Sequence, residues 1–254
     1  MVFFIINAAK IIFLLGFLVL IHEGGHFIVA RLCKVNVLEF SIGFGPTLYA
    51  KQGKQTKYSL RLIPLGGYVN LEGEEERVDT EGSFSKASIP KRMAIVLAGG
   101  LTNIIFAIVV FFILVAVTSN TSHYEESFGE NRYFAVTETK EFIFTIFESL
   151  KMLFTGKVGI NEFIGPVGIS KVVVKTTGIQ DYIYMLTLVS LSLGVTNLLP
   201  IPALDGGKFL LLIIEAVRRK KLSEKTELNL QLIGFTLLIT LSLYVAYNDI
   251  LRVL

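Results

Sequence analysis

The chain has 254 residues, 52% of them apolar and 18% charged, with a formal net charge of +3 and a mean hydropathy of +0.63. Soluble domains run nearer ~45–50% apolar and ~25% charged, and here the charges are gathered into blocks between long apolar runs, which is the pattern of an integral membrane protein. So small a net charge excludes a nucleic acid as the main partner, and a single cysteine, Cys33, excludes a disulfide framework or a cysteine-rich metal site.

The first apolar stretch covers about residues 2–33. It is too long for a signal peptide, carries only Lys10 ahead of its apolar centre and shows no small-residue cleavage site before Arg31, so it reads as a retained span. In the loop 34–92 that follows, residues 56–71 (TKYSLRLIPLGGYVNL) are rich in β-branched, aromatic and leucine residues and are broken by Pro64 and Gly66-Gly67. That predicts two short strands about a turn, a hairpin, with the acidic run Glu72 to Glu81 as a solvated loop behind it. The second apolar stretch is 93–117. The segment 119–181 then splits into a short polar part, 119–137, and an amphipathic part, 138–177, which predicts a helix lying in the membrane interface.

The third and fourth stretches are 182–214 and 228–245, and all four meet the ~20 apolar residues a spanning helix needs. They are joined by Arg218-Arg219-Lys220-Lys221 with Lys225 close behind, and five cations in so short a connection place it in the cytoplasm. Counting back, loop 34–92 is cytoplasmic, while 119–181 and both termini are outside. The expected architecture is therefore one all-α polytopic membrane domain over 1–254. It has about four transmembrane helices, a small cytoplasmic β-hairpin or sheet after the first and an interfacial amphipathic helix before the third.

Two of the three histidines, His22 and His26, stand four residues apart in the first span with Glu23 between them: HEGGH. On a helix these two imidazoles share a face and can bind one Zn²⁺, and Glu23 is placed to take the proton of an attacking water. HExxH also arises by chance, but three ionisable groups inside an apolar span each cost ~2.5–3.5 kcal/mol to insert when charged, which argues for a function. A hydrolytic zinc wants a third protein ligand, and the acid inside another apolar span is Asp205, within NLLPIPALDGG. Pro200 and Pro202 break the helix there and Gly206-Gly207 allow close approach. The alternatives for Asp205 are a structural cap or an ion pair with Lys208. Asn103 and Asn197 can each hydrogen-bond a peptide substrate, or simply tie helices together.

These segments resemble the site-2 proteases, the intramembrane zinc metalloprotease family, and most of all its bacterial RseP-type branch. The resemblance is carried by HEGGHF, FSIGFGPTLY, YSLRLIPLGGYV, AGGLTN, GPVGI at 165–169 and NLLPIPALDGG, in order along nearly the whole chain. It implies that His22, His26 and Asp205 hold Zn²⁺, that Glu23 is the general base, and that Asn103 and Asn197 lie near the substrate. It implies too that the Gly66-Gly67-Tyr68 hairpin offers its edge to an unfolding substrate strand. The expected activity is endoproteolysis within the transmembrane segment of a single-pass protein, such as an anti-sigma factor or a remnant signal peptide. The setting is the inner (plasma) membrane, with the active site toward the cytoplasm. One departure stands out: RseP-type chains usually carry a PDZ domain of on the order of 100 residues between the second and third spans, and 119–137 offers no room for it. Two rival readings follow from the same residues. A metal or ion transporter also uses intramembrane acids and broken helices, though it has no need of Glu23, and a catalytically idle adaptor would not need the intact ligand set.

Overall fold

The computed structural model describes residues 2–122, 128–155, 173–174, 176 and 178–251. In chain order these form α1 (Val2–Leu32), β1 (Val37–Gln52), β2 (Lys57–Leu71), α2 (Ile89–Ser122), α3 (Phe128–Phe154), α4 (Ile179–Asn197), α5 (Asp205–Arg218) and α6 (Glu224–Leu251). Among the described residues, three helices are long and apolar enough to cross a membrane: Ile5–Leu32 in α1, Ile89–Thr118 in α2 and Glu224–Asp249 in α6. Each keeps its backbone hydrogen bonds within itself, the condition for life in hydrocarbon.

The expected third span, 182–214, is not one helix. α4 stops at Asn197 and α5 begins at Asp205, because neither Pro200 nor Pro202 can donate to the helical ladder. The connection is tight, with Ile201 N–H bonded to Leu199 O at 2.7 Å and Ala203 in the left-handed region at φ 76°. It folds so closely over the first turn of α5 that a Cβ at Gly206 or Gly207 would run into the carbonyls of Leu198, Leu199 and Ile201. Gly206-Gly207 is therefore what lets α5 start where it does.

The hairpin expected inside 56–71 is present in its turn but not in its pairing. Residues 57–71 form a single strand, and their partner is β1, antiparallel, so the turn lies at 53–56. Both strands bend. Residues 37–42 pair with 67–71 and residues 47–52 with 57–61, while 39–42 also register with 57–60. Residues 57–60 ascend with 39–42 while 67–71 descend against them, so the Pro64 and Gly66-Gly67 break does reverse the chain, and its two arms flank 39–42 instead of pairing with each other. The amphipathic helix α3 begins at Phe128, ten residues ahead of the expected 138, and ends at Phe154. GPVGI lies outside the described residues.

The chain divides into two compact units. The first, residues 1–104 and 191–237, holds the sheet, α5 and the residues of the HEGGH segment. Its small core of Ala30, Val35, Val37, Leu71 and Ile95 joins the end of α1 to the sheet and to α2. α1 terminates there with Lys34 in the left-handed conformation, φ 61°, and Val35 N–H reaching back to Ala30 O at 2.9 Å. The second unit, residues 105–190 and 238–254, is organised around aromatic packing, with Phe111 stacked on Phe142 at 4.2 Å between centroids.

Candidate metal centre

His22 and His26 project from one face of α1 with their Nε2 atoms 3.3 Å apart. Asp205, the first residue of α5, meets both: its Oδ2 is 3.2 Å from His22 Nε2 and 3.3 Å from His26 Nε2. The three candidate ligand atoms lie within 4.8 Å of one another. His26 Nδ1–H donates to Ile95 O at 2.8 Å, which fixes the tautomer and turns the Nε2 lone pair inward. Behind His22, the carboxamide of fully buried Asn103 lies 3.4 Å from Nδ1.

Two imidazole nitrogens and a carboxylate oxygen aimed at one buried point repel each other unless a cation or protons lie between them. Asp205 Oδ2 is buried and accepts no hydrogen bond, so the geometry leaves it directed at that point. An N₂O donor set with room for a further ligand is that of a catalytic zinc, and the residues fit a metal ion. Space for it depends on α2: a Cβ on Gly99 would fall 2.7 Å from His22 Nε2 and collide with His26 Nε2. Lys208, a rival partner for Asp205, is engaged elsewhere, its Nζ donating to Glu74 Oε1 at 2.7 Å.

These groups open onto a cleft of about 610 Å³ whose lining includes His22, Glu23, His26, Asp205, Lys208 and Tyr68. The polypeptide leaving β2 spans it through two ion pairs, Glu74 to Lys208 on α5 and Arg77 to Glu227 on α6, the latter at 2.9 Å. One further wall residue, Arg92, is held in a buried two-pronged pair with Glu215, Nη2 to Oε1 at 2.6 Å and Nη1 to Oε2 at 3.1 Å.

Of the residues expected at the site, His22, Glu23, His26, Asp205 and Tyr68 meet in this one cleft. Gly67 backs onto Glu23, where an added Cβ would stand 3.5 Å from its Cγ. Gly66 faces the Phe44 ring instead. Asn197 closes α4, half-buried, and is not among the cleft-lining residues. Arg61 holds Tyr68 by donating to its Oη at 2.6 Å, and burial, together with the neighbouring Glu39 carboxylate, pushes the Tyr68 hydroxyl above its ordinary pKa. Sequence reasoning missed the roles of Ile95, Gly99 and the ion-paired strap. Only Gly99 left a sign, the run Ala98-Gly99-Gly100 that marks close helix approach in a span.

The sequence profile of peptidase family M50 matches residues 10–241. The chain is 30% identical to a protein of Clostridium acetobutylicum named a zinc metalloprotease, over 96% of this chain and 97% of the relative. A like-named protein of Fusobacterium nucleatum is 28% identical over 93% and 96%. Zinc metalloprotease RasP of Shouchella clausii is 24% identical over 92% and 96%. The first of these alignments extends over 329 positions, more than the 254 residues here, so that relative contains residues without a counterpart in this chain. With a match along nearly its whole length, the chain belongs to peptidase family M50, the site-2 proteases, and is one of its zinc metalloproteases.

Proposed function

We propose that the protein is an intramembrane endopeptidase that cuts the transmembrane segment of a single-pass protein from the cytoplasmic side of the inner membrane. The observation that carries this reading is the meeting of His22, His26 and Asp205 beside Glu23, with the helix that bears three of them, α1, long and apolar enough to cross a membrane. α1, α2, the α4–α5 pair and α6 make four crossings, and the Arg218–Lys221 cluster orients them with loop 34–92 in the cytoplasm.

His22, His26 and Asp205 hold Zn²⁺, which supplies Lewis acidity for peptide hydrolysis. Glu23, adjacent to His22 and facing the cleft, takes the proton of the attacking water and delivers it to the departing amine. Asn103 steadies His22 from behind. The substrate must unwind, because a helix hides its peptide bonds. The stretch 68–71 of β2 lines the cleft and gives an unwound segment an edge to add to as a strand. Anti-sigma factors trimmed on their outer side and remnant signal peptides have the single-pass form this site requires.

The test measures bound metal and cleavage of an epitope-tagged transmembrane peptide for wild type and Glu23→Gln. One zinc per chain in both, with cleavage in wild type alone, supports the assignment. Metal in both and cleavage of several unrelated substrates by neither would turn the reading toward a transporter or adaptor.

A further inference from the structure

A second cavity, of about 410 Å³, lies where the start of α2 meets the end of α5. Its lining includes Ser88, Arg92, Glu215, Arg219, Lys220 and Lys221. Arg92 and Glu215 neutralise each other in the floor of the cavity. The three cations at its rim, Arg219, Lys220 and Lys221, are exposed to solvent but are gathered over the one pocket by the backbone. Arg219 takes the left-handed conformation at φ 53°, which reverses the chain at the end of α5, and Lys221 Nζ then donates to Ser85 O at 2.6 Å. Among the described residues, Arg219, Lys220 and Lys221 form no ion pair with a carboxylate. Three cations folded over one pocket select an anion.

The surface beside the pocket says which kind. Leu210, Ile213, Ile214 and Val217 recur at the spacing of one helical face along α5, and all are exposed, Val217 by 79%. This apolar stripe ends at the cationic pocket. A free phosphate has no use for it; an acyl chain does. We propose that the pocket binds the phosphate headgroup of an anionic phospholipid, with an acyl chain laid along Leu210–Val217. The proposal rests on the membrane-embedded reading above, with residues 218–221 at the cytoplasmic surface, where anionic headgroups meet basic pockets between helices. The bound headgroup would brace the Arg92–Glu215 pair and, through it, α5, the helix that begins with Asp205.

The test compares wild type with Arg219→Gln/Lys220→Gln/Lys221→Gln, and with Lys51→Gln/Lys54→Gln/Lys140→Gln, which removes the same charge from exposed positions elsewhere. Retention of phosphatidylglycerol and of phosphatidylcholine by each detergent-purified protein is read by native mass spectrometry. At roughly fivefold per surface cation, the pocket variant should lose on the order of 100-fold in apparent affinity for phosphatidylglycerol. The control variant should match wild type, and phosphatidylcholine should be retained weakly by all three. Equal thermal unfolding of the three proteins excludes misfolding as the cause. Undiminished phosphatidylglycerol retention by the pocket variant would overturn the proposal. So would full displacement of the lipid by millimolar inorganic phosphate, which would make the site one for a soluble anion. Incorporation of wild type into phosphatidylcholine vesicles tests the membrane reading separately, and failure there would remove the ground beneath both.

Discussion

Substituting Gly99 by alanine sets two effects against each other in one methyl group. Within α2, alanine is favoured over glycine by ~1 kcal/mol, so the helix itself gains. At the metal centre the same methyl is an obstruction. It would stand 2.7 Å from His22 Nε2 and 2.8 Å from His22 Cε1, where ordinary contact begins at 3.4 Å, and it would collide with His26 Nε2. The His22 ring must therefore retreat by about 0.7 Å. His26 has less freedom, because its Nδ1–H is tied at 2.8 Å to Ile95 O, one turn back on the helix that carries the new methyl. Metal–ligand distances tolerate ~0.2 Å, so neither imidazole can give way and still ligate. Off-rotamer rings cost ~0.5–1.5 kcal/mol each, which roughly offsets the helical gain. The metal-free Gly99→Ala protein should thus unfold within about 1 kcal/mol of wild type in the presence of chelator. Its zinc affinity, read by competition with a chromogenic chelator, should fall by at least the roughly 10–100-fold that disturbing a ligand's support costs. Wild-type zinc affinity in a folded Gly99→Ala protein would refute the placement of the metal between His22, His26 and Asp205.

Asn103→Leu removes the carboxamide behind His22 and should weaken zinc binding ~10–100-fold, whereas Asn103→Asp, whose carboxylate can accept from an Nδ1–H, should retain most of it; the d–d spectrum of the cobalt-substituted protein reports the change directly. Glu74→Gln frees Lys208, three residues along the helix from Asp205, to turn toward that carboxylate. Zinc affinity should drop several-fold and recover in Glu74→Gln/Lys208→Gln, a non-additive pair in a double-mutant cycle, and additive losses would rule the coupling out. Burial raises the Glu39 pKa, but hydrogen bonds from Ser59, Arg61 and Tyr68 outweigh it and hold the carboxylate below its ordinary 4.5. Its stabilisation of the sheet is therefore complete above pH ~4.5 and is lost as the pH falls through the lower folded value, so the amide protection factors of residues 37–42, corrected for intrinsic exchange, should fall on acidification in wild type and stay flat in Glu39→Gln.

Helical spans were readable from composition because hydrocarbon imposes one requirement, an unbroken apolar run, and α1, α2 and α6 satisfy it. The third stretch satisfied it too, yet it is two helices. Apolarity records the solvent around a segment and is blind to the missing amide hydrogens of Pro200 and Pro202, which decide the backbone path. The sheet was harder for a related reason. Residues 37–52, FSIGFGPT among them, alternate poorly and contain Gly43, Gly45 and Pro46, so they read as loop. What makes them a strand is β2, which supplies partners along nearly all of the segment, and pairing of that kind is not written in either strand alone.

The centre divides along the same line. His22, Glu23 and His26 were legible because a helix converts a four-residue spacing into a shared face, with no tertiary information needed. Asp205 was legible by its cost: a carboxylate within an apolar, proline-broken segment needs a partner, and the partner proved to be the two imidazoles, since Lys208 is held by Glu74. Asn103 shows the limit of that reasoning. A polar residue in a span signals that something binds it, but not which side of the metal it occupies. Its burial and its 3.4 Å approach to His22 Nδ1 set it beside the ring nitrogen of His22 that faces away from Asp205. A site of this kind is built in two layers, the ligands announced by spacing and cost, and their supports, Ile95, Gly99 and Asn103, fixed only by where α2 crosses α1.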